Sequence, residues 1–252
     1  MKKAIIVVSF GTTHRDAEAT CIRPVEAALA AAFPDRMVCR AWTSRIIARR
    51  LAARGEAVEN EAEALARLRR EGYGNIAFVP THMIRGQEYE RVVAVADGLP
   101  VSAPLLDTDE DLKWMAGLLD CIAAEEGRTL LVMGHGTDHA ADATYARLRE
   151  ALSDRVILAC VEGRHALEGI LEELEAVPGK RLTLMPLMLV AGDHAKNDLA
   201  GDAPDSWKNV LLERGFDVRT RLTGLGALEA VQQRFVAKAV CQLQNQEQHH
   251  DK

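Results

Sequence analysis

The residues best placed to do chemistry are two histidines and a glutamate, each of which follows an apolar run. His135 lies in a Gly-His-Gly turn directly after the run LLVM, His194 follows LTLMPLMLVAGD, and Glu162 follows VILACV. An apolar run that ends in a glycine turn is typical of a buried parallel strand. The three side chains are therefore predicted to lie at the carboxyl ends of three strands.

Imidazole and carboxylate groups are good donors to borderline divalent ions such as Co2+, Ni2+, Fe2+ and Zn2+. His135, Glu162 and His194 are far apart in the sequence, so only the fold can bring them together. His135 and His139 are four residues apart, but the first belongs to the turn and the second to the following helix, which disfavours a joint site. The sequence leaves the roles of His14, His82 and His139 open, and His82 is either a substrate contact or a structural histidine.

Short apolar runs alternate with amphipathic segments of about 10 to 20 residues, which is the pattern of a parallel sheet covered by helices. The predicted strands span residues 4–9, 37–41, 75–80, 100–103, 129–133, 156–161, 181–186 and 217–221. Thr43, Asn60 and Thr108 precede amphipathic stretches and are predicted helix N-caps. The chain is thus predicted to be an α/β protein.

An internal repeat divides these strands into two groups of four. The segment IIVVSFGTTH (5–14) matches LLVMGHGTDH (130–139), and FVPTHMIRGQE (78–88) matches LMPLMLVAGDH (184–194). We therefore predict two similar lobes, each a mainly parallel four-stranded sheet flanked by helices. Their predicted limits are 1–107 for the N-terminal lobe, 108–128 for a connecting helix, and 129–252 for the lobe that carries the metal site.

The repeat makes Phe10 equivalent to His135, and Glu88 equivalent to His194. Ligands of open α/β sheets bind beyond the carboxyl ends of the strands, where all four residues are predicted to lie. Because the two sets differ in chemistry, we expect one substrate to be held in a cleft between the lobes.

Composition and missing motifs narrow the function classes. With 252 residues the chain is long enough to bury a large core without disulfides, and its five cysteines have no paired spacing, so a reducing cytoplasmic setting is expected. The N-terminal apolar run is too short for a signal peptide, and no segment reaches the roughly 18 apolar residues of a membrane span. The net charge of −6 disfavours nucleic acid as a partner.

No G-x-G-x-x-G, Walker or G-x-S-x-G motif follows a predicted strand, so neither a nucleotide cofactor nor a serine hydrolase is expected. The oligomeric state, a homo-oligomer included, is left open by the sequence. The C-terminal His249 and His250 lie in a polar end and are assigned no role.

Five segments together resemble one family. KKAIIVVSFGTT, HMIRGQEYE, MGHGT, MPLMLVAGDHAKND and DSWK are similar to the anaerobic cobalt chelatases of cobalamin synthesis, the CbiK type, over nearly the whole chain. The resemblance implies a class II chelatase fold and a lyase that inserts Co2+ into the tetrapyrrole sirohydrochlorin without ATP.

The resemblance also implies roles for individual residues. It makes His135, Glu162 and His194 the metal ligands, and His135 and Glu88 the catalytic groups. Gln87 stands where relatives carry aspartate, and residues 163–165 (Gly-Arg-His) replace an S-Y-P type segment. These departures concern the surroundings of the site.

Metal insertion removes two pyrrole N–H protons, so it needs a base and a temporary ligand for the ion. A neutral imidazole at His135 can hold the ion and take a proton once the ion has left, and Glu88 can pass protons to solvent. Sirohydrochlorin is an apolar disc with a carboxylate rim, and both parts need contacts. The predicted apolar contacts are Phe10, Met83, Ile84, Met188 and Leu189, and the predicted rim cations are Arg45, Arg85 and Lys196.

Several alternatives stay open at this point. A site of two imidazoles and a carboxylate does not by itself select Co2+ over Fe2+ or Ni2+, so a ferrochelatase or nickel chelatase acting on the same tetrapyrrole remains an alternative. The other alternative function is a carrier that binds metal or tetrapyrrole without insertion. Sirohydrochlorin and precorrin-2 are not distinguished as substrates.

Overall fold

The computed structural model describes the backbone of residues 1–250 and the side chains of residues 1–244. The side chains of His249 and His250 therefore lie outside the described residues. The chain forms two compact units: Met1–Leu105 with the segment from Gly226 onward make the first, and Leu106–Leu225 make the second.

The first unit contains a parallel sheet of three strands in the order β2-β1-β3. These strands are β1 (Lys2–Ser9), β2 (Met37–Trp42) and β3 (Tyr73–Pro80). From Ala4 to Val8 the central strand is completely buried, since helices cover both of its faces. All three strands end at the same edge of the sheet, because Ser9 pairs with Trp42, and Val8 with Pro80.

The fourth strand predicted for this unit, at residues 100–103, is wrong. Only Val101 forms an isolated parallel bridge, to Phe78. Proline has no backbone N–H to donate to a ladder, and this segment is bounded by Pro100 and Pro104. The contact therefore ends after the hydrogen bonds from Phe78 N to Pro100 O and from Ser102 N to Phe78 O.

Six helices belong to the first unit. They are α1 (Arg15–Ala17), α2 (Arg23–Ala32), α3 (Arg45–Ala52), α4 (Glu61–Arg70), α5 (Gln87–Ala96) and α10 (Glu229–His250), with a π-helical turn at Glu18–Ile22. Asn60 caps α4, as predicted, and it does so in a capping box with Glu63. The cap of α3 is Ser44, which accepts a hydrogen bond from Ile47 N, so the prediction for Thr43 was one residue too early.

The second unit contains a parallel sheet of four strands in the order β5-β4-β6-β7. These strands are β4 (Thr129–Gly134), β5 (Val156–Cys160), β6 (Arg181–Pro186) and β7 (Asp217–Thr220). The prediction of an α/β protein with two helix-flanked parallel sheets is thus confirmed, with three strands instead of four in the first sheet.

Four α-helices belong to the second unit. They are α6 (Asp109–Glu126), α7 (Ala143–Ala151), α8 (Leu171–Glu175) and α9 (Trp207–Glu213), with short 3-10 segments at Ala140–Asp142, Leu167–Ile170 and Pro178–Lys180 and a π-helical turn at Ala195–Leu199. Thr108 is the predicted N-cap of α6, and it forms a capping box with Asp111. No helix in the described part of the chain combines the length and the apolar character needed to cross a bilayer.

The limits of the two compact units differ from those of the predicted lobes in two places. Helix α6, predicted as a connection, belongs to the second unit, whereas α10 packs against α2 and β3 of the first. Val231, Phe235 and Ala239 are buried and recur every four residues, so they form the apolar stripe that α10 presents to this unit.

Candidate metal site

The first side chain of the site is delivered by the turn that follows β4. Strand β4 is buried up to Gly134, and the next residue, His135, is exposed. The His135 Nδ1 atom lies 2.9 Å from the carbonyl oxygen of Gly136. Because a carbonyl only accepts, Nδ1 carries the proton and the lone pair of the neutral ring is on Nε2.

Both glycines of the Gly-His-Gly turn are required by close packing. Gly136 has a φ of +74°, and a Cβ added there would lie 1.8 Å from the carbonyl oxygen of Glu162. A Cβ on Gly134 would meet Cys160 Sγ and Tyr145 Cε1, each at 2.9 Å. The turn is therefore pressed directly against the loop that follows β5.

This packing places Glu162 beside His135. Val161 N donates to Gly134 O at 3.0 Å, and Glu162 N donates to His135 O at 2.8 Å, so the hydrogen bonding of the two strands continues into their loops. A Glu162 carboxylate oxygen lies 4.0 Å from His135 Nδ1, and both side chains are about half exposed. The carboxylate thus lies beside the protonated nitrogen of the ring.

His194 is the second imidazole, and it immediately precedes the π-helical turn Ala195–Leu199. Its ring lies edge-to-face with that of His135, with 4.9 Å between the ring centroids and an interplanar angle of 88°. The His194 Nδ1 atom lies 2.5 Å from a carboxylate oxygen of Asp198. The fold therefore brings together two histidines that are 59 residues apart in sequence (194 − 135 = 59).

Glu162, the third predicted donor, is close to His135 but is not part of a three-residue metal cluster in the described structure. Among residues 1–244, no group of three histidine, cysteine, aspartate or glutamate side chains is arranged to hold one metal ion. The close contacts are pairwise: His135 with His194, and His135 Nδ1 with Glu162. A joint site of His135, Glu162 and His194 therefore remains a prediction.

His139 and His165 surround the site without entering it. His139 Nδ1 accepts a hydrogen bond from Ala141 N at 3.1 Å, so this ring caps the 3-10 segment Ala140–Asp142. His165 Nε2 lies 4.0 Å from Asp142, whose other carboxylate oxygen accepts from Thr137 N. The unusual Gly-Arg-His segment is thus connected to the β4 loop through Asp142.

The support beneath the turn is uncharged. Burial raises the pKa of the Cys160 thiol to about 12, with a further contribution from the nearby Asp142. Burial also raises the pKa of the Tyr145 phenol. Both groups stay protonated at neutral pH, so they act as packing groups under Gly134.

Three predicted substrate contacts lie in the loop after β6 and in the π-helical turn. Met188, Leu189 and Lys196 are all half-buried. Met188 packs against the core of the second unit, and its carbonyl oxygen accepts from Leu225 N. These residues therefore share one strand end with His194.

In the first unit, Phe10 and Arg45 lie at the carboxyl edge of the sheet. Phe10 directly follows β1 and its side chain is 49% exposed. Ser44 N donates to Phe10 O, so Arg45, the first residue of α3, lies close to the Phe10 backbone. A cation at a helix N-terminus opposes the helix dipole, which makes the position of the exposed Arg45 unfavourable unless it has an anionic partner.

The remaining predicted residues of the first unit follow β3. Met83 and Ile84 are half-buried, and Arg85 is exposed with its guanidinium 5.2 Å from the Tyr89 ring centroid. Glu88 lies in the first turn of α5 and accepts a hydrogen bond from Arg91 at 3.0 Å. Its carboxylate is therefore paired with a cation on its own helix.

His82 precedes these residues, and both of its ring nitrogens are buried with no hydrogen-bond partner among the described residues. Burial, with a smaller contribution from the charge of Arg91, lowers the pKa of His82 to about 4. The ring is therefore neutral at physiological pH.

Comparison with known proteins identifies the family. A family model described as "Cobalt chelatase (CbiK)" matches residues 3–242. The chain belongs to the cobalt chelatase (CbiK) family. The resemblance predicted from the five sequence segments is thereby confirmed.

Two relatives of this CbiK-family chain cover most of its length. The sirohydrochlorin cobaltochelatase of Salmonella typhimurium is 37% identical over 94% of this chain and 95% of the relative. The sirohydrochlorin cobaltochelatase CbiKC of Nitratidesulfovibrio vulgaris is 33% identical over 90% of this chain and 86% of the relative.

A solved structure shares the fold. It is that of CbiX, described as the terminal enzyme for biosynthesis of siroheme in denitrifying bacteria, with a TM-score of 0.58 and 16% identity. The match covers 95% of this chain and 99% of that one. At this level of identity the likeness supports the fold alone.

One residue near the site was missed by sequence reasoning. Asp198 contacts His194, although only the histidine was selected as a candidate. Their spacing of four residues, directly after an apolar strand, was the available signal, because side chains four apart share one face of a helix.

Proposed function

We propose that this chain is a sirohydrochlorin cobaltochelatase that inserts Co2+ into sirohydrochlorin without ATP. Family membership and the names of the two relatives support this proposal. The observation that carries it is the 4.9 Å edge-to-face approach of the His135 and His194 rings, because two partly exposed imidazoles so close together suit a divalent ion.

Insertion exchanges two pyrrole N–H protons for one Co2+, so two protons leave the macrocycle for each ion that enters. In the proposed mechanism, Nε2 of His135 first holds the incoming ion together with His194. Once the ion has moved to the ring nitrogens, the same Nε2 lone pair accepts the first pyrrole proton, releases it to solvent, and then accepts the second. One side chain thus acts first as a ligand and then as a base.

The position of Glu162 suits the second of these steps. When Nε2 of His135 takes a proton, the imidazole becomes a cation, and a carboxylate about 4.0 Å from Nδ1 stabilises that charge. The same negative charge favours approach of Co2+ to the histidine pair. Glu162 therefore assists in both steps, whether or not it becomes a ligand.

For the substrate, we propose contacts on both of its chemical parts. Phe10, Met83, Ile84, Met188 and Leu189 are assigned to the apolar faces of the macrocycle. Arg45, Arg85 and Lys196 are assigned to its carboxylates. The exposed Arg45 at the start of α3 gives the best support, since a bound carboxylate would offset its unfavourable position beside the helix dipole.

Glu88 is assigned to proton transfer from the site to solvent. Glu88 is half-buried in the first turn of α5, where its carboxylate accepts a hydrogen bond from Arg91. We also propose a cytoplasmic location, supported by the free state of all five cysteines.

The identity of the ion is assigned from the family and the relatives. Imidazole donors bind Ni2+ more tightly than Co2+, and Co2+ more tightly than Fe2+, so affinity alone does not select cobalt. We propose Co2+ as the physiological substrate, with Fe2+ and Ni2+ as ions that the site can also accept.

An anaerobic spectroscopic assay tests the proposal. The full chain is mixed with sirohydrochlorin and Co2+, Fe2+ or Ni2+ in parallel, and the visible spectrum is followed against protein-free mixtures. We expect faster formation of the cobalt product with the wild type, and a loss of about 10-fold to 100-fold for His194→Ala. His139→Ala is the matched histidine control and should retain the wild-type rate.

If the protein binds both Co2+ and sirohydrochlorin but the spectrum of the metallated product never appears, the protein is a carrier and the proposal is overturned. If His194→Ala keeps the wild-type rate, His194 is excluded as a functional residue of the site, but the proposed chelatase activity is not contradicted.

A further inference from the structure

The contact between Asp198 and His194 has no part in the mechanism above, yet it is the shortest polar contact of the site. Asp198 lies 2.5 Å from Nδ1 of His194, and both side chains are partly exposed. We infer that Asp198 is a positioning residue, which holds the His194 ring with Nε2 available for the metal ion. This inference rests on the proposed function, since it assigns the ion to His194.

The chemistry of the contact fixes the tautomer of the ring. A carboxylate can only accept a hydrogen bond, so Nδ1 of His194 donates and carries the proton. The lone pair of the neutral ring is then on Nε2. A ligating histidine commonly donates its other ring N–H to a carboxylate or carbonyl, which fixes its orientation and raises its basicity as a ligand.

His135 is oriented in the same way by a different group. Its Nδ1 is held by the carbonyl of Gly136, whereas that of His194 is held by the carboxylate of Asp198. Both rings therefore present Nε2 as the ligand atom. Because the carboxylate is charged, it polarises the His194 ring more strongly than the carbonyl polarises His135.

The turn that carries Asp198 is fixed at its far end. Ser206 Oγ donates to Gly201 O at 2.9 Å, and Lys208 Nζ donates to Ala200 O at 3.0 Å. A Cβ on Gly201 would lie 2.2 Å from Asn197 O, so the chain closes tightly behind the π-helical turn. This gives the DSWK segment a function, because it anchors the backbone from which Asp198 reaches His194.

The π-helical geometry itself is a second reason to assign a role to this pair. Such turns are rare and occur frequently at functional sites. Here the turn begins directly after His194 and contains Asp198, so the irregular backbone sets the distance between the two side chains.

Three variants test whether Asp198 acts by positioning the His194 ring, by its negative charge, or only by supporting the fold. Asp198→Leu removes the acceptor, whereas Asp198→Asn keeps a carbonyl oxygen that can still accept from Nδ1. Asp154→Asn is the control, because Asp154 is an exposed aspartate of the same unit that precedes β5, at the opposite edge of the sheet from the site. The tautomer of His194 is measured by nitrogen-15 NMR of the histidine rings, and Co2+ affinity by titration without tetrapyrrole.

We expect His194 to carry its proton on Nδ1 in the wild type and in Asp198→Asn, and to move toward the Nε2–H form in Asp198→Leu. We also expect Co2+ to bind about 10-fold to 100-fold more weakly to Asp198→Leu, less weakly to Asp198→Asn, and unchanged to the control. A proton on Nε2 in the wild type would overturn the inference.

The comparison with His194→Ala separates this inference from the proposed function. If His194→Ala loses Co2+ binding and Asp198→Leu does not, the positioning role is refuted while the metal site stands. If neither variant affects Co2+ binding, the assignment of the ion to His194 is refuted, and the positioning inference with it.

Discussion

The turn after β1 and the turn after β4 share the same backbone hydrogen bonds but carry different side chains. In the first unit, Thr43 N donates to Ser9 O, and Ser44 N donates to Phe10 O. In the second unit, Val161 N donates to Gly134 O, and Glu162 N donates to His135 O. The sequence repeat therefore corresponds to a repeat of hydrogen bonding, with Phe10 in the place of His135.

The agreement extends along both turns. His14 N donates to Thr12 Oγ1 at 3.1 Å, and His139 N donates to Thr137 Oγ1 at the same distance. On the other side of the central strand, Thr81 N donates to Val8 O in the first unit, as Leu187 N does to Met133 O in the second. The same backbone hydrogen bonds form around different side chains in the two units. The backbone of the site therefore does not depend on its imidazole and carboxylate groups.

The two turns differ in what approaches them. A Cβ on Gly11 would meet the ring of Trp42 at 2.7 Å, whereas one on Gly136 would meet the backbone of Glu162. Ser44, the residue equivalent to Glu162, caps helix α3. The first unit therefore uses these positions for packing and capping, while the second places a carboxylate and an imidazole there.

The largest effect is expected from removing the side chain that differs between the two turns, which is His135 in the second unit and Phe10 in the first. Removing a general base costs about 10²-fold to 10⁴-fold in rate, so His135→Ala should lose insertion activity by this factor. Phe10→Ala, the equivalent change in the first unit, should mainly raise the KM for sirohydrochlorin, because its side chain is half exposed and contributes no base. Initial rates of metallation, with circular dichroism as a check on folding, measure both effects.

A comparable fall in kcat for both variants would contradict this division of roles between the two turns. Retention of the wild-type kcat by His135→Ala would exclude the residue as the base.

Substitution of the turn glycines should show the second largest effect, on stability. Gly136→Ala meets a backbone oxygen at a positive φ, so we expect a loss of roughly 2–4 kcal/mol in the free energy of unfolding. Gly11→Ala should cost less, because a Trp42 ring can shift more easily than backbone. Urea denaturation measures both.

Gly117→Ala is the control for these substitutions. It lies exposed within α6 with no atom near its Cβ position, and it should gain about 0.5–1 kcal/mol. Equal losses for Gly11→Ala and Gly136→Ala would show that positive φ alone, rather than the approach of Glu162, decides the cost.

The comparison also shows which parts of the structure can be predicted from residues that are close together in the sequence. The Gly-His-Gly turn and the N-caps Asn60 and Thr108 depend on residues within a few positions of each other, and the sequence predicts all of them. Seven of the eight predicted strands exist. The one that fails, at residues 100–103, is flanked by prolines that should have counted against it.

Features that depend on distant contacts were not predictable in this way. The apolar stripe of α10 shows that the helix packs on something, but it does not say on which sheet. Glu162 was correctly expected near a strand end, yet its position beside Nδ1 of His135 depends on the approach of two loops. The spacing of four residues between His194 and Asp198 was a signal for their contact, but the π-helical form of the turn between them has no signature in the residue pattern.

The two halves also differ at His82, because the equivalent residue of the second half in the sequence repeat is Met188. The pKa of His82 is about 4 in the folded chain, below its usual value of 6.5. The unfolded chain therefore binds a proton between these values that the folded chain does not bind. The stability from a neutral His82 is complete above pH 6.5 and is lost as the pH falls toward 4.

We expect this effect to remove about 2 kcal/mol of stability between pH 7 and pH 5. His82→Met introduces the residue of the second half and should reduce that loss. Urea denaturation of both proteins at the two pH values measures the difference. An identical pH dependence for the wild type and His82→Met would show that His82 does not titrate in this way.

The smallest effect is expected where the two turns end, at His14 and His139. The ring of His139 accepts a hydrogen bond from Ala141 N and so caps the 3-10 segment Ala140–Asp142. His139→Ala should therefore lower the free energy of unfolding by about 0.5–1 kcal/mol, and His14→Ala, the equivalent change in the first unit, is measured beside it. Neither variant should weaken Co2+ binding, because the Nδ1 of His139 is used in capping and His14 follows the turn that lacks the imidazole. A weaker affinity for Co2+ in His139→Ala alone would instead extend the metal site from His135 to the next turn of the chain, and would make the second unit differ from the first at one more position.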